Sequence, residues 1–459
     1  MFGDLSEFHA WLARRRQANA YRITRVPLDD LDGWQFQEGT GNLVHRSGRF
    51  FSVEGLEVRT DHREVESWSQ PIIVQPEIGI LGILVKEFDG VPHCLMQAKM
   101  EPGNLNTVQL SPTVQATRSN YSRVHRGQPV PYLGEFVAPR RGRVVFDALQ
   151  SEQGSWFLAK RNRNLIVEVT GDVPVGEDFC WLSLRQVHEL LLVENLVNMD
   201  SRTVLAGLPP PGTGGDSPGR VHDDEGALHS TGQILSWLTE AKTRYRLDRR
   251  RIPLAAVGGW TRTPDQIAHE RDRYFRVIGV GVEATNREVS RWSQPMLAPL
   301  HEGVVAFVGR WIGPTYHVLV QVRTEAGTAD IVEISPTVNC APANYEGLPP
   351  ARRPQFLDYV LTAPASRIKL DMRHSEEGGR FYHAQNRYLL VEATDDLSLQ
   401  AGDDFIWISV RQLAGIVRYG SHVSVEARSL LACLHGWLTR QEPVAAGDGR
   451  HAGWPGARP

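Results

Sequence analysis

The sequence predicts an α+β protein made of two tandem mixed α/β domains related by internal duplication and pseudo-twofold symmetry. Three observations predict it. Arg63-Glu64-Val65-x-x-Trp68-Ser69-Gln70-Pro71 returns as Arg287-Glu288-Val289-x-x-Trp292-Ser293-Gln294-Pro295, and the offset of 292 − 68 = 224 holds without a gap from Gly55/Gly279 to Tyr121/Tyr345. Each copy carries a continuous apolar run and then a segment of strict alternation, the marks of buried and half-buried strands. Ser230-x-x-Gln233, just after a stretch rich in proline and glycine, reads as a capping box that opens a helix and hence a second unit.

In chain order, the first domain is expected over 6–208. A helix around Phe8 to Arg16 opens it, and a short turn-helix follows at Pro27, because proline suits a first helical position. Ile78 to Val85 is an unbroken apolar run, as in a strand covered on both faces. His93 to Glu101 begins apolar and ends in alternation, so Gln97, Lys99 and Glu101 share one strand face. Trp181 to Leu184 reads as a strand leading into a helix through Arg185-Gln186-Val187-His188-Glu189-Leu190. Residues 209–229, dense in proline and glycine from Pro209 to Gly219, form the linker. The second domain, 230–440, repeats the order: a helix from Ile234 to Arg244, a turn-helix at Pro253, an apolar strand from Gly303 to Val308, a face bearing Gln321, Arg323 and Glu325, and a strand from Trp407 to Val410 with its helix. Late in each copy Asn162-Arg163 matches Asn386-Arg387, and Asp178 to Gln186 matches Asp404 to Gln412 after a shift of two. The tail 441–459 is expected to be disordered.

The bulk numbers exclude several classes. A formal net charge of −3 gives no overall attraction to nucleic acid or to an anionic membrane. No apolar run approaches the roughly 20 residues that span a bilayer, and no secretory signal is visible, so a cytoplasmic protein is expected. The four cysteines lie far apart with no C-x-x-C pair, which argues for buried thiols over a disulfide framework or a thiolate zinc site. There is no G-x-x-x-x-G-K-[ST] loop and no H-E-x-x-H, and Gly279-Val280-Gly281 reads as strand packing. His222-Asp223-Asp224-Glu225 offers metal-ligand types, but in a linker it reads as solvated charge.

Two polar clusters remain as candidate chemistry. Gln97 to Tyr121 mixes a carboxylate, two cations, amides, hydroxyls and a phenol in a hairpin-sized stretch. Ser375-Glu376-Glu377-Gly378-Gly379-Arg380-Phe381-Tyr382-His383 with Asn386-Arg387-Tyr388 is the other. As structure alone, the first is a solvated edge hairpin and the second a turn with surface ion pairs, which contribute little. Comparing copies separates the readings. Thr117-Arg118 becomes Ala341-Pro342 in the second copy, whereas Glu377 and Arg380-Phe381-Tyr382 stand where the first copy has Gln153 and Trp156-Phe157-Leu158. A pocket joining the first cluster of one copy to the second cluster of the other would keep its polar groups in one version and lose several in its mirror image.

These motifs, with Trp68-Ser69-Gln70-Pro71-Ile72, Gln97-Ala98-Lys99-x-Glu101-Pro102-Gly103-Asn104 and Gln109-Leu110-Ser111-Pro112-Thr113-Val114-Gln115-Ala116-Thr117-Arg118-Ser119-Asn120-Tyr121, resemble the sugar 2,3-dehydratases that act on nucleotide-linked 4-keto-6-deoxyhexoses in antibiotic deoxysugar pathways. The resemblance covers about Ser6 to Trp437. It implies two Nudix-like domains from gene duplication, a homodimer, a dTDP-sugar pocket in each half with one of them catalytic, and loss of water across C2 and C3. The metal-binding Nudix box is absent, since Arg63-Glu64-Val65 is followed by Glu66-Ser67, which argues against metal-assisted pyrophosphate hydrolysis. No metal and no cofactor is expected for the dehydration, NADPH belonging to a separate downstream ketoreductase. Under the resemblance Glu101 or Glu376 is the base. Lys99 and Arg380 stabilise the enolate or neutralise the diphosphate, and Tyr121 or Tyr382 protonates the leaving hydroxyl. Trp68 and Trp292 stack on thymine or sit in the core. Thr117, Arg118 and Asn120 contact phosphate or sugar hydroxyls, with Gln97, Asn104, Ser111, Thr113, Gln115, Tyr132, Glu377, Arg387 and Tyr388 completing the substrate-binding set. The rival readings are a Nudix-type nucleotide-sugar pyrophosphatase and a non-catalytic nucleotide-sugar binding module.

Overall fold

The computed structural model describes residues 2–63, 65–117, 130–137, 142–209, 224–285 and 289–441. Arg118, Asn120 and Tyr121, most of the expected linker with His222 and Asp223, and nearly all of the expected tail lie outside the described residues.

Among the described residues the chain is a mixed α+β fold of two seven-stranded and two five-stranded sheets. In the first copy the apolar strand Gly79–Phe88 lies at the middle of a seven-stranded sheet. It pairs in parallel with Arg161–Glu168 and antiparallel with Val91–Met100. Val91–Met100 in turn pairs with Val108–Ser111 and Phe179–Ser183. The second copy repeats this around Gly303–Ile312 and Thr315–Arg323. Both expected apolar runs are therefore central strands, each a few residues longer than the run, as a strand that stays hydrogen-bonded past its buried part must be.

Helices close the inner faces. Leu5–Ala18 is capped by Asp4, whose carboxylate accepts from Ser6 and Glu7 N–H, and Thr231–Arg244 opens on the capping box read at Ser230 and Gln233. Ser183/Gln186 and Ser409/Gln412 form two more capping boxes, starting Leu184–Leu190 and Val410–Val417. Val425–Gln441 is a long helix that the sequence reading passed over. Nearly every face of it is buried from Val425 to Gly436, so it lacks the one-sided period that marks a surface helix. It packs on Met199–Leu205 and Leu184–Leu190 in one apolar cluster that joins both seven-stranded sheets.

Two further corrections concern the start of each copy. Between helix and turn-helix lies a strand, Tyr21–Val26 or Leu247–Ile252, and Pro27 and Pro253 sit just before short 3-10 turns, Leu28–Asp30 and Leu254–Ala256. The two strands are exchanged: Tyr21–Val26 pairs with Phe275–Ala284 of the second copy, and Leu247–Ile252 pairs with Ser52–Thr60 of the first. Gly279 permits the exchange, because a Cβ there would lie 2.4 Å from the Val26 carbonyl oxygen. A second core joins the five-stranded sheets and includes the fully buried Phe157 and Phe381, ring centroids 5.2 Å apart. Each such ring contributes roughly 1.5–3 kcal/mol of burial.

Asp224 is not solvated charge: its Oδ1 accepts from Thr231 N–H at 2.9 Å and from Gln412 Nε2 at 2.8 Å, tying the end of the linker to the second copy. All four cysteines are buried and in no disulfide, and burial pushes the Cys94 and Cys433 thiols up to about 12.

Candidate active site

The two polar clusters meet across the halves. Gly103 N–H donates to the Gly378 carbonyl at 2.7 Å and His383 N–H to the Gly103 carbonyl at 2.8 Å. A Cβ on Gly103 would lie 1.8 Å from the Phe381 carbonyl oxygen, so only glycine lets these turns close. Gln109 Nε2 adds a buried bond to Ser375 Oγ at 2.9 Å. The joint walls a cleft of about 440 Å³ lined, among others, by Lys99, Glu101, Gln115 and Thr117 from the first copy and Trp292, Glu377 and Arg380 from the second.

Strand alternation aims the first set. Ala98 and Met100 point into the core while Gln97 and Lys99 stay half-buried on the other face, and Glu101 follows in the turn. The Glu101 carboxylate takes three amide donors: Gln115 Nε2 to Oε1 at 2.5 Å, and Asn104 Nδ2 and Asn198 Nδ2 to Oε2 at 3.3 and 3.4 Å. Lys99 Nζ donates to the Gln115 carbonyl at 2.9 Å, so it and Glu101 are braced by one residue. Arg380 reaches across the halves, its Nε donating to Gln75 Oε1 at 3.1 Å and its guanidinium lying over the Phe51 ring at 4.3 Å.

The cleft has two characters. Trp34, His45, Phe50, Phe51 and Trp292 give an aromatic end, with Trp34 Nε1 fixed to the Ser293 carbonyl at 2.9 Å. Glu101, Asp200 and Glu377 give an acidic end served by Lys99 and Lys160, and Arg380 touches both ends. Burial pushes Glu377 up to about 8; Arg380 opposes this, and Glu152 and Glu101 reinforce it. Burial, then the neighbouring Glu101, Glu377 and Glu152, hold Asp200 well above the carboxylate range, with Lys99 pulling the other way. Burial also draws Lys160 down, against the pull of Glu152.

Several expected residues stand elsewhere. Glu376, a candidate base, faces away: Gln153 Nε2, Asn386 Nδ2 and the Tyr388 hydroxyl donate to it at 2.9, 2.7 and 2.8 Å. Its neighbour Glu377 takes the cleft position. Tyr388 is thereby a buried brace, with Arg202 over its ring. Tyr382 stacks on His383 and packs against the large core, outside the cleft lining. Tyr132 is spent on the Pro174 carbonyl at 2.6 Å and on Gly176 N–H. Arg387 forms a bidentate surface pair with Asp371. Thr113 bridges Leu84 N–H and the Leu95 carbonyl as a core staple, a role Thr337 repeats. Trp68 packs with Leu56, Val58 and Ile72, and Gln97 lies half-buried opposite Ser111, both outside the cleft lining. Asn104 and Ser111 act at one remove, Asn104 on Glu101 directly and Ser111 by accepting from Asn198 at 2.9 Å.

The sequence reading missed Asp200, Lys160, Gln75, Asn198 and all of the aromatic end except Trp292. A signal for the Asn198 segment existed: carrying the shifted offset of 226 onward pairs Asn198, Asp200 and Arg202 with Ser424, Glu426 and Arg428. The same offsets locate the mirror site, where Arg323, Glu325, Thr328, Ser335, Asn339 and Glu426 line a void of only about 10 Å³. Arg323 Nε lies 2.5 Å from Glu325 Oε1 there, and Arg63 adds a second cation at 3.6 Å. That inner site is filled by its own ion pairs.

A sequence profile described as NDP-hexose 2,3-dehydratase matches residues 5–208 and again 231–434. The chain is 58% identical over 435 residues to the dTDP-4-dehydro-6-deoxy-alpha-D-glucopyranose 2,3-dehydratase of Streptomyces violaceoruber, covering 94% of this chain and 97% of that one. Proteins of the same description from Saccharopolyspora spinosa and Amycolatopsis orientalis are each 50% identical, over 94% of this chain and 91% and 90% of their own lengths.

Proposed function

The chain belongs to the NDP-hexose 2,3-dehydratase family, and from that premise we infer that it is a hydro-lyase acting on dTDP-4-keto-6-deoxyglucose. The enzyme removes the C2 hydroxyl and the C3 hydrogen as water. Identity of 50% or more along 94% of the chain carries the reaction assignment, and the composite cleft carries the assignment of its place.

The chemistry assigns roles by charge and position. The C4 ketone acidifies the C3 hydrogen, because the electron pair left behind delocalises into an enolate. Glu101 is the base, its carboxylate oriented by Gln115, Asn104 and Asn198. Lys99, braced beside it, stabilises the C4 oxyanion, and an oriented donor of this kind contributes about 3–4 kcal/mol. Glu377 is the acid. With its pKa pushed up to about 8 it holds a proton at neutral pH and gives it to the departing C2 hydroxyl. Arg380 neutralises the diphosphate between the acidic and aromatic ends, and Trp292 with Trp34 offers ring faces for thymine. The enol between C2 and C3 becomes a 3,4-diketo-2,6-dideoxy sugar. Oxidation at C3 balances reduction at C2, so the step consumes no redox cofactor, and an NADPH-dependent ketoreductase follows it.

The proposal extends to a Nudix-like ancestry for each half, a cytoplasmic homodimer and a role in antibiotic deoxysugar assembly. Light scattering after gel filtration tests the dimer. Incubation with dTDP-4-keto-6-deoxyglucose, a ketoreductase and NADPH tests the reaction: a 2-deoxy sugar nucleotide is expected, and release of dTMP would instead support the pyrophosphatase reading.

A further inference from the structure

Resting on that reading of the cleft, we propose that Asp200 is a second catalytic acid: its carboxyl delivers the proton that C2 gains when the enol becomes the 3,4-diketo sugar. Asp200 lines the cleft yet is only 4% exposed, and it carries no hydrogen bond or ion pair among the described residues. An acid sidechain so buried and so unpartnered is costly unless something enters the cleft to meet it. Asn198, two residues earlier, donates to Glu101, which places Asp200 on the segment that braces the base.

The proton inventory singles it out. Water loss leaves Glu101 holding the C3 proton under three amide donors and leaves Glu377 emptied. Of these three carboxyls only Asp200 is then still protonated and free of hydrogen bonds, because burial and its acidic neighbours keep it neutral. In the second step the enol electron pair takes the Asp200 proton and forms the C2–H bond. The C3 hydroxyl proton passes to the Glu377 carboxylate, and C3–O becomes a carbonyl. The proton held by Glu101 returns through solvent to Asp200, so the three carboxyls end as they began.

The test is the enzyme in deuterium oxide, its product trapped by a ketoreductase and read by NMR at C2. Wild type is expected to place one deuterium at C2 in a single configuration. Asp200→Asn is expected to consume substrate and lose the C2 hydroxyl, yet to give both C2 configurations as the freed enol ketonises in water. Asp200→Glu should restore most of the preference. Because Asn keeps the shape and removes an unpartnered acid, Tm is expected not to fall; if Asp200→Asn fails to fold, the group is structural and the proposal is overturned. A folded Asp200→Asn enzyme with the wild-type rate and a single C2 configuration also overturns it, as does one that no longer eliminates water. Failure of wild type itself to remove the C2 hydroxyl would instead strike the reading of the cleft.

Discussion

Glu101→Gln and its mirror Glu325→Gln are the same change made at the two ends of the pseudo-dyad, and only the first should touch catalysis. At Glu101 the substitution keeps the shape and removes the proposed base. General-base catalysis contributes about 10²- to 10⁴-fold, which at 1.36 kcal/mol per tenfold is about 3–5 kcal/mol of barrier. The cost to stability should be smaller. The new amide meets a donor at either end, Gln115 at 2.5 Å or Asn104 and Asn198 at 3.3 and 3.4 Å. Gln115 can turn its own amide, so about 1 kcal/mol is expected. At Glu325 the reverse holds. Arg323 is left without its 2.5 Å partner, both side chains being less than a fifth exposed, and breaking such a pair costs about 3 kcal/mol. Initial rates with excess ketoreductase and thermal unfolding of each variant separate the two effects. Glu101→Gln retaining more than about a tenth of wild-type kcat would refute the base assignment. Glu325→Gln losing as much would refute the idle mirror site.

Three further outcomes are expected. Since Glu377 ionises at about 8 rather than its ordinary 4.5, kcat should decline as pH rises through about 8, and Glu377→Gln should lower kcat and flatten that limb. The same raised pKa means that the group's stabilisation is complete below about 4.5 and is lost by the time pH has risen through about 8, so the variant should also lose part of the fall in Tm between pH about 4.5 and about 8. Trp292→Ala should raise KM by roughly tenfold, in line with about 1–3 kcal/mol for a stacked base, while Trp68→Ala leaves KM unchanged; equal effects would contradict the cleft assignment. Gly103→Ala should destabilise by about 3 kcal/mol in denaturant titration, since its Cβ meets the Phe381 carbonyl at 1.8 Å; an unchanged midpoint would mean that the joint is looser than described.

What was legible in the sequence follows the range of the forces involved. Lys99 and Glu101 could be placed on one face because strand alternation is local, and the capping box read at Ser230 is local too; the boxes at Ser183 and Ser409 follow the same local pattern but were not read. The joining of the clusters was legible because the copies had diverged in complementary ways, Glu377 against Gln153 and Thr117 against Ala341. The strand exchange was not. Gly55 and Gly279 occupy equivalent positions, so nothing local says which copy's strand each receives. The Val425–Gln441 helix escaped because burial on all sides erases its period. Glu376 drew attention as the first of two adjacent glutamates, but the turn sends it inward to Tyr388 and Asn386 and gives Glu377 the cleft. Asp200 and Lys160 reach the site from distant segments, and a composite wall leaves no contiguous motif.

The most direct measurement is NMR of dTDP-4-keto-6-deoxyglucose turning over on the purified enzyme in buffer stripped of divalent ions, following phosphorus and the sugar carbons together. Dehydration in the composite cleft predicts an intact diphosphate throughout, together with a C2 that has lost its oxygen and a C3 that has become a carbonyl, both of these changes being lost in Glu101→Gln. A C2 that keeps its hydroxyl, or a diphosphate cleaved to dTMP, would contradict it.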